Sequence, residues 1–204
     1  MFHRTDHNGK FFITAFVVSL LVTTLSACDS KKRPAAFYPV DSLVTAQIRH
    51  LNSIHAEVLK EALLRGQKDT AKYTPKDTLA WINELDVFRR IDMINKPVNK
   101  GLYRVDDGLV DPQSNLTVKS FKSIKDLPVV YLKIFYQGTL HKPRRIEALY
   151  REENVLFGSS RVLSMDFQQI GDKTVLTGYE IKGGEKMVFG DTVEYYIRGK
   201  ILVD

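Results

Sequence analysis

The chain reads as an α+β protein: two amphipathic helices, then an antiparallel meander of seven or eight strands. Three observations predict this. Val44, Ile48, Leu51, Ile54, Val58 and Leu63 recur at spacings of three to five, which is a helical period. The stretch TPKDTLAWINELDVFRRIDMI, residues 74–94, combines helix-start residues with a second apolar stripe. From Gly101 onward the period drops to two, in runs rich in valine, isoleucine and aromatics.

The first helix is expected over PVDSLVTAQIRHLNSIHAEVLKEALLRG. Asp41 suits its N-cap, Glu61 and Arg65 make a favourable i,i+4 pair, and Gly66 suits its stop. GQKDTAKY follows as a polar connection. In the second helix Thr74 is placed as the cap, Pro75 at the first helical position and Asp77 three residues after the cap. Leu79, Ile82, Leu85, Phe88 and Ile91 form its stripe with Trp81 beside them, and Asn95–Pro97 ends it.

The strands are read from GLYRV, LTVKSFKSI, PVVYLKIFYQ, RRIEALYRE, VLFGSSRVLSMDFQQI, KTVLTGYEIK, KMVFG and TVEYYIRGKILV. Turn chemistry separates them, with Glu152-Glu153-Asn154 and Gly183-Gly184 as tight hairpin connections. Val129–Tyr136 is apolar on both faces apart from Lys133 and is expected inside the sheet. TVEYYIRG alternates, with Val193, Tyr195 and Ile197 on one side and Glu194, Tyr196 and Arg198 on a wet one. Strands without intervening helices predict a twisted or curled antiparallel sheet, one face covered by the two helices. In element order alone this resembles the half-barrel-plus-helices plan of periplasmic lipoprotein carriers.

Ahead of the domain, MFHRTDHNGK carries Arg4 and Lys10, and Phe11–Leu25 contains no charged residue. Small residues Ser26 and Ala27 lead to Cys28, the only cysteine of the 204 residues. A basic start, a short apolar run and a small-residue end read as a secretory signal peptide. Its 15-residue apolar run is shorter than the 18 or so residues of a membrane span. The junction Leu25-Ser26-Ala27-Cys28 resembles the lipobox of bacterial lipoproteins. That resemblance implies diacylglyceryl transfer to the Cys28 thiol, cleavage by signal peptidase II between Ala27 and Cys28, and acylation of the new amino terminus. Two or three acyl chains hold a protein on a membrane where one does not. The expected organisation is a signal peptide over 1–27, a lipidated cysteine and tether over 28–38, and one α+β domain over 39–204. The location expected is the bacterial cell envelope. Asp29 favours inner-membrane retention in enterobacterial lipoproteins, but that rule is not general, and the choice between inner and outer membrane stays open.

Removing residues 1–27 takes away Arg4, Lys10 and Asp6 and leaves 28 basic against 23 acidic groups, a formal +5. This excess is spread along the chain and gives no nucleic-acid signature. With Cys28 lipidated, no thiol remains for a disulfide, a thiolate metal site or a cysteine nucleophile. Lys31, Lys32 and Arg33 in the tether and Lys142, Arg144 and Arg145 in HKPRR are candidates for contact with an anionic surface. Lys119, Lys122 and Lys125 add charge nearby in sequence.

No catalytic or metal constellation stands out. His50 and His55 diverge by about 140° around a helix, whereas paired ligands want a spacing of four. His141 falls in a turn. Asp106, Asp107 and Asp111 lack the calcium-loop spacing and fit a strand-joining loop. FGSSRVL lacks the second glycine of a nucleophile elbow, and KGGEK lacks the setting of a phosphate loop. Glu152 and Glu153 are sequence neighbours that point apart. An enzyme would need Asp106, Asp107 or Glu153 gathered against His141 in a cleft. No cofactor is indicated. The leading expectation is a non-catalytic, membrane-anchored lipoprotein that binds an envelope protein. The alternative is a carrier or sensor of a lipid or other apolar ligand held between helices and sheet.

Overall fold

A computed structural model describes residues 37–187 and 190–203. The expected signal peptide over 1–27, the expected lipidation site Cys28 and the expected tether with Lys31, Lys32 and Arg33 lie outside the described residues. The ring of Phe37, the first described residue, meets Tyr103 at 6.1 Å and Phe121 at 5.7 Å. Asn95 pins the start of the domain: its Oδ1 accepts from the Phe37 N–H, and its amide donates to the Tyr38 carbonyl.

Helix α1 spans Val40–Ser53. A hairpin follows, β1 (Glu57–Leu64) and β2 (Gln67–Tyr73), and then helix α2 (Thr78–Arg89). Two 3-10 turns, Arg90–Asn95 and Pro97–Asn99, lead into the meander. Its strands are β3 (Tyr103–Val110), β4 (Thr117–Ser123), β5 (Val129–Tyr136), β6 (Pro143–Glu153), β7 (Phe157–Ile170), β8 (Lys173–Met187) and β9 (Thr192–Leu202). Among the described residues these nine strands pair antiparallel in one open sheet, ordered β2-β1-β9-β8-β7-β6-β5-β4-β3. The α+β class, the antiparallel meander and its helix cover are as the sequence predicts. The strand count and the extent of the first helix are not.

The first helix stops at Ser53, twelve residues before Arg65 at the predicted end. His55 adopts φ 51° and the Ala56 N–H returns to the Leu51 carbonyl, a left-handed C-terminal cap built on a non-glycine residue. EVLKEALL then runs as a strand because β9 offers it a partner along its whole length. GQKDTAK is its hairpin mate rather than a connection. Arg65 and Gly66, both at positive φ, make the turn, so Gly66 ends a strand and not a helix. Glu61 consequently pairs with Lys68 across the hairpin, not with Arg65. Asp41 is not the cap of α1: it accepts from Arg89 at 2.6 Å, and Asp92 caps instead by accepting the Asp41 N–H.

The second helix starts at Thr78, with Asp77 as N-cap accepting the Ala80 N–H at 2.8 Å. Thr74 and Pro75 therefore precede it. That start turns Trp81, Leu85 and Phe88 into the core and leaves Leu79 63% exposed. Gly183 and Gly184 are not a turn, because KTVLTGYEIK and KMVFG join into the single long strand β8. A β-carbon on Gly183 would meet Ser160 O at 2.8 Å and the Arg161 Cβ at 2.9 Å, so close strand approach explains that glycine. The β6–β7 connection is tight as predicted: the Asn154 side chain accepts from Leu156 and Phe157 N–H.

Cross-strand register gives the sheet two distinct faces. One, the covered face, presents Val58, Tyr179, Met165, Ile146 and Ile134 to the helices, all nearly inaccessible. Trp81, Leu85 and Phe88 of α2 and Val44, Ile48 and Leu51 of α1 fill the space above them. None of the described helices lies on the other face.

Candidate functional site

Glu84, on α2, is the most enclosed of the ion-paired groups described, with its side chain 10% exposed. Its carboxylate accepts from Lys60 Nζ on β1 at 2.8 Å, from the Tyr73 hydroxyl on β2 at 2.8 Å, and from the Tyr179 hydroxyl on β8. Burial pushes the Glu84 pKa up, but the donors Lys60, Tyr179 and Tyr73 outweigh it and hold the group below its ordinary value. Burial and the same carboxylate push both tyrosines upward. An ionised carboxylate committed to three donors is a latch between helix and sheet, not an acid or base for catalysis. Neither period nor motif marks it in the sequence, because its partners lie 24, 11 and 95 residues away.

A second cluster joins Glu152, Arg161 and Tyr150. Arg161 Nη2 donates to Glu152 Oε2 at 3.0 Å, the Tyr150 hydroxyl to Glu152 Oε1 at 2.8 Å, and the guanidinium stands 5.5 Å from the Tyr150 ring. Glu152 is thereby drawn away from Glu153, which is exposed. Asp107 sits at a bulge in β3 with Gly108 at φ 75°. It accepts from Lys119 at 2.7 Å and from the Tyr136 hydroxyl at 3.2 Å, which hold its carboxyl below the usual range. Asp111 makes its own turn, accepting from Ser114. His50 and His55 stand at the end of α1, and His141 is exposed between β5 and β6. Among the described residues no three metal-ligating side chains meet, and no helix is long and apolar enough to cross a membrane.

The candidate basic loop is divided by the fold. Lys142 is exposed, but Pro143 opens β6, so Arg144 and Arg145 belong to a strand. Arg145 Nη2 donates to Ser164 at 3.3 Å and its Nε lies 3.9 Å from Asp166. Lys31, Lys32 and Arg33 fall outside the described residues.

The sheet's open face is the surface available for binding. One row across it reads Tyr131, Leu149, Val162, Lys182, Tyr196 and Leu63, register partners on successive strands from β5 to β1. The apolar members are half-buried, and Leu63 is 42% exposed. The adjacent row reads Lys133, Glu147, Ser164, Glu180, Arg198 and Glu61. Lys133 pairs with Glu147 at 3.7 Å and Arg198 with Glu180 at 3.5 Å. Two open grooves flank these rows. One, about 810 Å³, lies over Gly184 between Leu149, Val162, Tyr196 and Leu63. The other, about 740 Å³, has Leu109, Val118 and Phe135 as floor and Arg144 and Arg145 at its rim. Period-two alternation in β9 shows one wet strand face, but assembling the rows requires the register. No family profile, no curated protein and no solved structure matches this chain.

Proposed function

We propose that the chain is a lipid-anchored protein of the bacterial envelope that binds a protein partner through the open face of its sheet. Support for the anchor is the Leu25-Ser26-Ala27-Cys28 junction directly after an uncharged run. Docking rests on one observation: the mostly apolar row Tyr131-Leu149-Val162-Lys182-Tyr196-Leu63, exposed at Lys182 and Leu63, on a face that none of the described helices covers. An apolar patch rimmed by charge is the usual composition of an interaction surface. The test has two parts. Cells expressing the full chain are fed labelled palmitate, and Cys28→Ser should abolish incorporation and membrane retention. Leu149→Arg with Tyr196→Arg should abolish co-purification of the partner from solubilised envelopes without lowering the melting temperature by more than a few degrees. Retained co-purification would sink the docking face.

A carrier reading keeps a specific foothold. Trp81, Leu85 and Phe88 fill the space between helices and sheet, so the site for an apolar ligand is instead the groove over Leu109, Val118 and Phe135. Native mass spectrometry of the detergent-free chain would show an added mass lost on Phe135→Asp.

A further inference from the structure

Resting on the docking reading, we propose that the partner at the open face is a second copy of this chain, packed face to face about a two-fold axis that runs along the strands between β7 and β8. Such an axis lays each strand of one copy over the strand equally far from the axis in the other. Strand β7 then meets β8, β6 meets β9, and β5 meets β1, by the sheet order. Residues within a row stay within that row.

The rows are complementary under this operation. In the charged row Glu147 meets Arg198 of the second copy and Lys133 meets its Glu61, while Ser164, buried beneath Arg145, leaves Glu180 of the second copy facing a small residue. In the apolar row Leu149 meets Tyr196 of the second copy, Tyr131 meets its Leu63, and the stem of its Lys182 lies along Val162. A third row, Arg151, Ser160, Gly184 and Glu194, places Arg151 against Glu194 of the second copy and the small residues at the axis. On the far side Phe135 meets Leu59 of the second copy. Within these six strands the only directly opposed like charges are Arg145 and Lys200 of the second copy, and Arg145 keeps Asp166 at 3.9 Å beside it. One strand further out, Lys122 faces Lys68 of the second copy.

Size and access agree. Six strands about 4.8 Å apart and four rows about 6.8 Å apart cover roughly 750 Å² per copy, near the usual size of a stable interface. Packed sheets with strands running nearly the same way form the common aligned sandwich. Phe37, the first described residue, packs on Tyr103 and Phe121 of the covered face and not on the open one. A two-fold axis also keeps the two Phe37 residues at one height along it, as two anchors in one membrane require.

The experiment uses the full chain in its own membrane, with a photoreactive benzoylphenylalanine in place of Leu149. A crosslinked product of twice the chain mass is expected. Glu147→Arg or Arg198→Glu alone should lower its yield at least about tenfold, while the two together restore it to within about twofold, because the pair reverses sign. Loss of the internal pairs with Lys133 and Glu180 would instead make the double variant the worst of the three. Lys133→Glu with Glu61→Lys repeats the test independently should either first variant fail to fold. A crosslink to a different protein overturns the second copy and leaves the docking face standing. No crosslink of any mass overturns both.

Discussion

The ring of Tyr179 on β8 lies across the backbone of its register partner Gly199 on β9, and a β-carbon on Gly199 would overlap the ring. This close approach fixes the ring where two side chains of α2 converge on it. Phe88 meets it edge-on at 5.6 Å, and Glu84 accepts a hydrogen bond from its hydroxyl. Helix α2 is therefore docked on a tyrosine that only a glycine neighbour admits.

Gly199→Ala should destabilise the fold by about 1–3 kcal/mol, the usual cost of forcing a methyl into a filled core. Denaturant unfolding measures it. Gly158→Ala is the control: nothing lies within 4 Å of a β-carbon there, and its effect should stay within about 0.5 kcal/mol. Equal effects at the two sites would refute the role given to Tyr179.

Glu84 makes stability depend on pH at the acid end. Its folded pKa is held below the ordinary 4.5, so its contribution is fully present above that value and is lost as pH falls through the folded pKa. Glu84→Gln removes the ionic bond to Lys60 and should cost about 2–4 kcal/mol at neutral pH. The gap between variant and parent should close as the solution is acidified. At the alkaline end, the raised pKa values of Tyr73 and Tyr179 give stability that is present below pH 10 and declines above it. Tyr73→Phe should flatten that limb. Unfolding free energy against pH reads both effects, and parallel curves for Glu84→Gln and parent would refute the first.

Arg65 makes the β1–β2 turn with a left-handed backbone, φ 50°, beside Gly66 at φ 81°. Arg65→Asn should stabilise the fold by about 1 kcal/mol, since asparagine tolerates that conformation better than arginine does. A thermal melt shows the sign directly, and a loss of stability would contradict the turn assignment.

These residues also explain which parts of the fold were legible. Alternation in Val193–Arg198 and the long apolar run Val129–Tyr136 report burial on sheet faces directly, so β5 and β9 are readable. Glu57–Leu64 misleads because Glu, Leu, Lys and Ala are strong helix formers. Pairing with β9, 138 residues or so away in the chain, decides its state instead, and no local signal carries that. The stop of α1 is hidden because His55 rather than glycine takes the left-handed position. Gly183-Gly184 looks like a turn for the opposite reason: it has turn composition, while its cause is the close approach of Ser160 and Arg161 on β7. The Glu84 latch and the open-face rows depend on register across several strands, which periodicity within one strand does not encode.

Gln47 supplies the clearest single test of how α1 is seated. Strand β8 pairs with β9 only as far as Gly178, and a register shift opposite Asp166 and Phe167 separates that part from the rest. Beyond it, the Gln47 side chain takes the place of a neighbouring strand. Its amide donates to the Thr174 carbonyl at 2.9 Å and its Oε1 accepts the Leu176 N–H at 2.8 Å. Gln47 is 5% exposed, so water does not replace these bonds. Gln47→Leu keeps the bulk but strands two backbone groups, and should cost about 2–4 kcal/mol. Gln47→Glu retains the acceptor for Leu176 and sets a carboxylate against the Thr174 carbonyl, so it should be no better. Amide hydrogen exchange separates this from a general loss of packing. In Gln47→Leu the Leu176 N–H should exchange far faster than its neighbours on β8, whereas uniform acceleration along the strand would show that Gln47 contributes bulk and not hydrogen bonds.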